Sequence, residues 1–277
     1  MRFVPGLDVA FSATTLEWWQ ARYAEGYQIM SQDLWTGGYS NNRRLFEVAE
    51  PNLRNAREAG FICFGYVNAG PWYPADTALL LARQNAGREW SQLSRVAVDV
   101  EIEGVTEDHV WDLCEALKAD GKQVCLYSAR WFWVDKLGNP QWEWLKEYPL
   151  WNAFYDSDQD IDFPSARYGP WANVIGEQYQ GTTDIDGVEV DLNSFDIDWF
   201  APLSSHEIAI TTQEEERMRV YKIKGNLYTF DGQELRHIPT PEALAALGKV
   251  ETVTLTAGDA LLDLPVRYLK VPGDLRP

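Results

Sequence analysis

Five short apolar runs, each separated from the next by a helical pattern, set the strongest limit on how this chain can fold. FVPGLDVAF, YQIMS, FICFGYVNAG, RVAVDVE and KQVCLYS read as strands. Between them lie LEWWQARYAEG, RLFEVAEPNLRNAREAG, DTALLLARQNAGREW and TEDHVWDLCEALKADG, which read as helices. Pro51 interrupts the second of these, Thr106 is placed to N-cap the fourth, and Gly121 follows it as a stop. A repeat of this kind calls for parallel strands with covering helices. Up to Phe200 the pattern then changes: LWNAFY, ANVIGEQYQ and VEVDLN are strand candidates without clean helical runs. A closed α/β barrel of the TIM-like kind, whose later strands have lost most of their helices, fits this better than an open sheet.

The composition shifts near residue 204. All 13 tryptophans sit at or before Trp199, many of them outside the strand candidates, as in SARWFWVDKLGNPQWEWLKEYPLW. A core uses a few such rings; this many near strand ends also suggests stacking surfaces for sugar-like ligands, with Trp18 and Trp19 assigned to packing. The remainder shows short strand-like pieces (RMRVYKI, NLYTFD) and an expected helix at PEALAALG, with Pro241 near its start, and VETVTLTAGDALLDLP closes the segment. The expected division is a barrel over 1–203 and a small α+β module over 204–277, for which a docking role and a structural one are both open. A chain of 277 residues can bury enough surface for both.

A net charge of −18 argues against nucleic acid and against docking on an anionic membrane, and leaves a glycan partner open. The start, MRFVPGLDVAF, lacks a signal-peptide pattern and no stretch is apolar enough to span a bilayer, so synthesis in the cytoplasm without a membrane partner is expected. The three cysteines are too few for a disulfide framework; Cys63 and Cys125, in strand-like runs, read as buried free thiols.

The chemistry concentrates in acids at strand ends. If Val96 to Glu101 is extended, the two-residue period puts Asp99 and Glu101 on one face, and GVT ends the strand there. Two carboxyls this close repel, so one tends to keep its proton, as a general acid for a glycosidic oxygen must. The other, ionised, can stabilise positive charge on the sugar. Asp8 closes the first strand candidate and Asp191 the last, and in a closed barrel those strands are neighbours. Glu189 and Asp186 could support this cluster. Tyr66, Tyr127, Trp151 and Tyr179 fall in or near strand ends and are candidates for substrate contacts.

Clustered carboxylates can also hold a hard metal ion, but His109, His206 and His237 lie far from the strands bearing the acids, so zinc is poorly supported and no metal or cofactor is expected. There is no GxSxG elbow, HExxH or phosphate loop. LWTGGYSNN reads as a tight turn or a strand-end loop beside the cleft.

Taken in order, GLDVAF, AGFICFGYVNAG, AVDVE, VCLYS, PLWNAFY, EQYQG and IDGVEVDLNSF resemble the lysozymes of glycoside hydrolase family 25, over roughly residues 1–200. The resemblance implies an irregular (β/α)5(β)3 barrel and, without cofactor or metal, hydrolysis of the β-1,4 bond between N-acetylmuramic acid and N-acetylglucosamine in peptidoglycan. On it, Glu101 is the proton donor and Asp99 assists the reaction centre, with Asp8 and Asp191 as the first- and last-strand aspartates. It leaves open whether a carboxylate or the substrate's N-acetyl group attacks. It further implies a phage endolysin or virion-borne wall hydrolase, with 204–277 docking it to the wall or a phage particle. The chain departs from the family in carrying DVAF for the usual DVS or DIS, and QIMSQDLWTGGYSN, with Asp33, for an Arg- or Lys-containing loop. The alternative is a non-catalytic glycan-binding or phage tail protein using the same cleft.

Overall fold

Eight strands pair in chain order and close: β1 (Phe3–Val9), β2 (Ile29–Trp35), β3 (Ile62–Asn68), β4 (Arg95–Asp99), β5 (Gln123–Ala129), β6 (Leu150–Ala153), β7 (Val174–Ile185) and β8 (Val188–Asp196). The computed structural model describes residues 2–38, 42–159 and 166–200 and, beyond these, the backbone of 218–223, 226–230, 235–238, 250–254 and 266–268. Strands β1 to β7 are parallel to their neighbours, whereas β8 runs antiparallel to both β7 and β1. The result is an irregular TIM-like barrel.

Four helices cover it: α1 (Leu16–Ala24), α2 (Asn42–Ala59), α3 (Ala75–Ala86) and α4 (Glu107–Ala119). The Thr15 hydroxyl accepts the Trp18 N–H at 3.2 Å to start α1, and Trp19 is fully buried in it. Helix α2 continues through Pro51, where the sequence suggested a break. Proline removes one backbone bond, but Leu45, Val48, Ala49, Leu53 and Ala56 are all buried at helical spacing, and that packing holds the helix together. Thr106 caps α4 in a reciprocal box with His109, which gives this histidine a structural role. After β5 the covering element is a π turn (Phe132–Lys136) and a 3-10 turn (Glu143–Glu147) in place of an α-helix.

The two-residue period sorts the strands' inner face into layers. Val4, Ile29, Phe64, Ala97, Cys125, Trp151 and Phe195 belong to one apolar cluster that fills the barrel. Phe195 sits between two glycines: a Cβ on Gly6 would lie 2.6 Å from its ring, and one on Gly176 would overlap the opposite edge. Phe64 and Trp151 pack against it with ring centroids at 5.5 and 5.4 Å. Further along the same parity come Tyr66, Asp99 and Tyr127, one step beyond Phe64, Ala97 and Cys125, and Asp8 and Asp33, two steps beyond Val4 and Ile29. Strand β4 ends at Asp99, so Glu101 lies just beyond the strand rather than in it. Cys114 and Cys125 are buried, Cys63 is half-buried, and all three are free.

The chain divides into two compact units, Met1–Ile208 and Ala209–Pro277. In the second, β9 (Met218–Ile223), β10 (Asn226–Phe230), β11 (Leu235–Ile238), β12 (Val250–Thr254) and β13 (Val266–Tyr268) form a sheet ordered β12-β9-β10-β11-β13. Its three central strands are antiparallel and the two edge strands pair parallel. The helix expected at PEALAALG lies outside the described residues. No helix among the described residues is long and apolar enough to cross a membrane.

The wedge around Phe195 makes Gly176→Ala a test of how the barrel fills. The added methyl group has nowhere to go, so the variant should lose about 1–3 kcal/mol and melt at lower temperature by near-UV circular dichroism. A wild-type melting temperature would contradict this packing.

Candidate active site

At the C-terminal mouth of the parallel strands, Asp8, Tyr66, Asp99, Glu101, Tyr127, Trp151, Gln178 and Asp191 line a cavity of about 100 Å³. This end of a barrel is where side chains from several strands converge on one point. Asp8 and Asp191 are direct partners in the β1–β8 ladder. Because β8 runs against its neighbours, Asp191 reaches the mouth from the first half of its strand, not from the end as the sequence suggested. Asp99 is flanked in register by Asn68 on β3 and Tyr127 on β5.

Glu101 needs separate support, being outside the ladder. The Val100 N–H still donates to the Tyr127 carbonyl at 2.9 Å, which carries the extended path past Asp99. The Ala129 N–H donates to Glu101 Oε1 at 2.7 Å. Next to it, Ile102 packs against Gly37, where a side chain would collide with it, and against Gly70, where a Cβ would be a tight contact at 3.2 Å. Gly37 has φ +72°, so the paired glycines after β2 form a strand-end loop bordering the mouth.

Among the described residues four carboxyls line the cavity and no Lys, Arg or His does. Burial, followed by the charges of Asp191, Asp33 and Asp99, pushes Asp8 well above the usual carboxyl range. Asp99 is likewise pushed well up by burial and then by Glu101, against the opposing hydrogen bond from Asn68 Nδ2 at 2.7 Å. Burial raises Glu101 to about 7, with the Ala129 N–H opposing. Asp191 is also raised by burial, against the Thr182 N–H that donates to its Oδ1 at 2.6 Å. Asp8 Oδ1 and Asp99 Oδ1 are buried without a hydrogen-bond partner. The cluster therefore retains protons near neutrality and titrates as a coupled set.

Of the aromatic candidates, Tyr66 and Tyr127 face the acids; burial raises both phenols well above their ordinary value. Trp151 forms part of the cavity lining, its Nε1 donating to Asn193 Oδ1 at 2.9 Å, so its indole is held by the barrel. Tyr179 does not line the cavity; its neighbour Gln178 does, accepting from Tyr127 at 2.8 Å and donating to Asp8 Oδ2 at 3.2 Å. Asp186 sits in the β7–β8 turn with φ +53° and binds Arg22 at 2.9 Å, and Glu189 is exposed, so neither reaches the cavity. Trp151 is the one tryptophan among the described residues that lines it; the exposed Trp72, Trp111 and Trp131 do not. His206 lies outside the described residues, and His237 falls in β11. Among the described residues no three of His, Cys, Asp or Glu are placed to hold a metal ion. Sequence reasoning passed over Gln178, Asn68 and Tyr155, whose hydroxyl donates to Gln178 Oε1 at 2.7 Å.

Asp33, read from the sequence as a loop acid, is buried on β2 and opposite Tyr66 in register. Burial raises it from 3.8 to about 8, with its bond from the Trp35 N–H opposing. The stability from keeping it neutral is fully present below its unfolded value and is lost as pH rises through about 8. Asp33→Asn cannot ionise but can still accept from Trp35. Its melting temperature should therefore gain on wild type as pH rises from about 5 to about 9; a difference that stays constant with pH would contradict a buried neutral acid.

No protein-family profile matches the chain. Among curated proteins it is 26% identical over 190 residues to Counting factor 50 of Dictyostelium discoideum, spanning 64% of this chain and 60% of that protein. It is 27% identical over 176 residues to Probable GH family 25 lysozyme 3 of the same organism, spanning 58% of this chain and 34% of that protein. The alignments thus cover less than two thirds of either relative. Among solved structures it resembles the Clostridium perfringens spore cortex lytic enzyme SleM, with a TM-score of 0.52 and 16% identity over 84% of this chain and 75% of that one. At that identity the likeness is one of fold. The chain is accordingly a distant, low-identity relative of a protein named as a family 25 lysozyme, on a barrel shared with a cortex lytic enzyme.

Proposed function

We propose that the barrel is a glycoside hydrolase of bacterial peptidoglycan, cleaving the β-1,4 bond between N-acetylmuramic acid and N-acetylglucosamine. The observation that carries this reading is the set of four carboxyls, unaccompanied by any cationic side chain among the described residues, around one cavity at the mouth of a barrel. Glu101 is assigned as proton donor on access. It is half-buried, one of its oxygens is fixed by the Ala129 N–H, and the other is left to face a ligand. Its value near 7 suits an acid that must hold a proton and release it. Burial raises both groups, and the charge of Glu101 raises Asp99 further. Asp99 is the deeper group, tied to Asn68, and cannot serve the leaving oxygen as readily.

In this reading Glu101 protonates the glycosidic oxygen as the bond to the anomeric carbon breaks, and the ionised members of the cluster stabilise the positive charge that develops. Asp99 orients the group that attacks the anomeric carbon, whether a carboxylate or the substrate's own N-acetyl oxygen. A water then gives its proton to Glu101 and its oxygen to the sugar, which restores the acid.

Purified peptidoglycan, treated in parallel with wild type and Glu101→Gln, tests this reading through reducing-end release and mass spectrometry. Wild type should give fragments ending in reducing N-acetylmuramic acid. The variant should be slower by about 10²–10⁴-fold while still binding glycan. Equal rates would remove Glu101 from the mechanism. Reducing N-acetylglucosamine would place the cut at the other bond, and binding without any release would favour the recognition protein.

A further inference from the structure

Tyr155 follows β6 and is 58% exposed, yet its position is closely fixed. The Phe154 N–H donates to the Gln178 carbonyl at 3.0 Å and the Ser157 N–H to the Tyr179 carbonyl at 3.1 Å, which pins the segment to β7 on both sides. The hydroxyls of Tyr155 and Tyr127 both donate to Gln178 Oε1, at 2.7 and 2.8 Å. An amide oxygen has two lone pairs. With both occupied, the Gln178 amide can present only its NH₂ to Asp8, and it does so at 3.2 Å. Tyr155 Cζ and Asp191 Oδ1 both border the space over Gly181, 3.5 and 3.6 Å from where its Cβ would stand, and the charge of Asp191 reaches the phenol.

This arrangement fixes what Tyr155 can offer a ligand. Burial raises the phenol to about 12, so it keeps its single proton, and that proton points inward to Gln178. Only acceptor lone pairs remain outward. The Trp151 N–H nearby is taken by Asn193. A ligand group that bonds the Tyr155 oxygen must bring the donor.

We propose that Tyr155 is a specificity-determining residue of this cavity, walling the sugar bound over Asp8 and Asp191 and accepting a hydrogen bond from a hydroxyl or amide N–H on that sugar. Gln178 is the positioning residue behind it, holding Asp8 in place from the far side. The inference rests on the glycan-cleaving reading and adds to it the polarity of the group that meets Tyr155.

The test uses the full chain and two readouts. Binding is measured by calorimetry in the Glu101→Gln background, with peptide-free strands of alternating N-acetylglucosamine and N-acetylmuramic acid, then with β-1,4 oligomers of N-acetylglucosamine and of glucose. Turnover is measured in the otherwise wild-type chain. Tyr155→Phe should weaken strand binding by about 3–10-fold at an unchanged melting temperature, with a rise in KM larger than any fall in kcat. A loss confined to the acetamido oligomer assigns the donor to the N–H, and an equal loss with the glucose oligomer assigns it to a hydroxyl. Gln178→Met should instead act on kcat and shift its pH profile. If wild type cleaves and Tyr155→Phe matches its affinity and KM, Tyr155 is not a specificity residue and the cleavage reading stands. If wild type neither binds nor cleaves strands, that reading fails and takes this inference with it.

Discussion

Strand β8 enters the barrel antiparallel to β1 and β7, with Phe195 seated between Gly6 and Gly176. Two glycines are needed because the ring occupies the space where their side chains would stand. That contact sets the height of β8, and the ladder from Phe195 leads in steps of two to Asp191, opposite Asp8. The mouth therefore inherits its geometry from an apolar wedge below it. The same step of two carries β4 from Ala97 to Asp99, and the backbone bond from Val100 to Tyr127 carries the extended path on to Glu101.

The acids collect at a cost that burial imposes and that no cationic side chain in the lining relieves among the described residues. Backbone and amide donors offset part of it: Ala129 at Glu101, Thr182 at Asp191, Asn68 at Asp99 and Gln178 at Asp8. Each of these works against burial, and burial remains the largest influence on all four groups. A set of carboxyls held this way is less stabilising as structure than it is useful as chemistry. It stores protons near neutrality and is primed to ionise when positive charge develops beside it. Asp33, one strand over from Tyr66, extends the same field beneath the mouth.

Much of this was legible in the sequence. The alternation of strands and helices gave the barrel; the two-residue period paired Asp99 with Glu101, and Asp8 and Asp191 were placed by their positions at the ends of the first and last strand candidates. The errors are local and have physical causes. Pro51 looked like a break because a proline's missing donor is visible in sequence, while the buried face that outweighs it is not. Tyr179 was chosen over Gln178 because an aromatic ring near a strand end is the more conspicuous candidate for a sugar contact, while the register shift at Gln178/Gln180 is not visible in sequence. Asp33 has the parity of Ile29 and Ser31 on β2, but the glycine pair after it suggested a loop. Tyr155 lies past the end of β6, and its place depends on bonds to β7 that no local pattern announces.

The central physical claim is that this mouth keeps protons where ordinary carboxyls have lost them. Carbon-13 NMR of labelled Asp and Glu carboxyls, followed through the neutral range in wild type and Glu101→Gln, measures it directly. The account predicts carboxyl resonances that remain protonated well above the usual range, one of them titrating near 7 and absent from the variant. Titration of every carboxyl below about pH 5, in the range of unperturbed side chains, would contradict it.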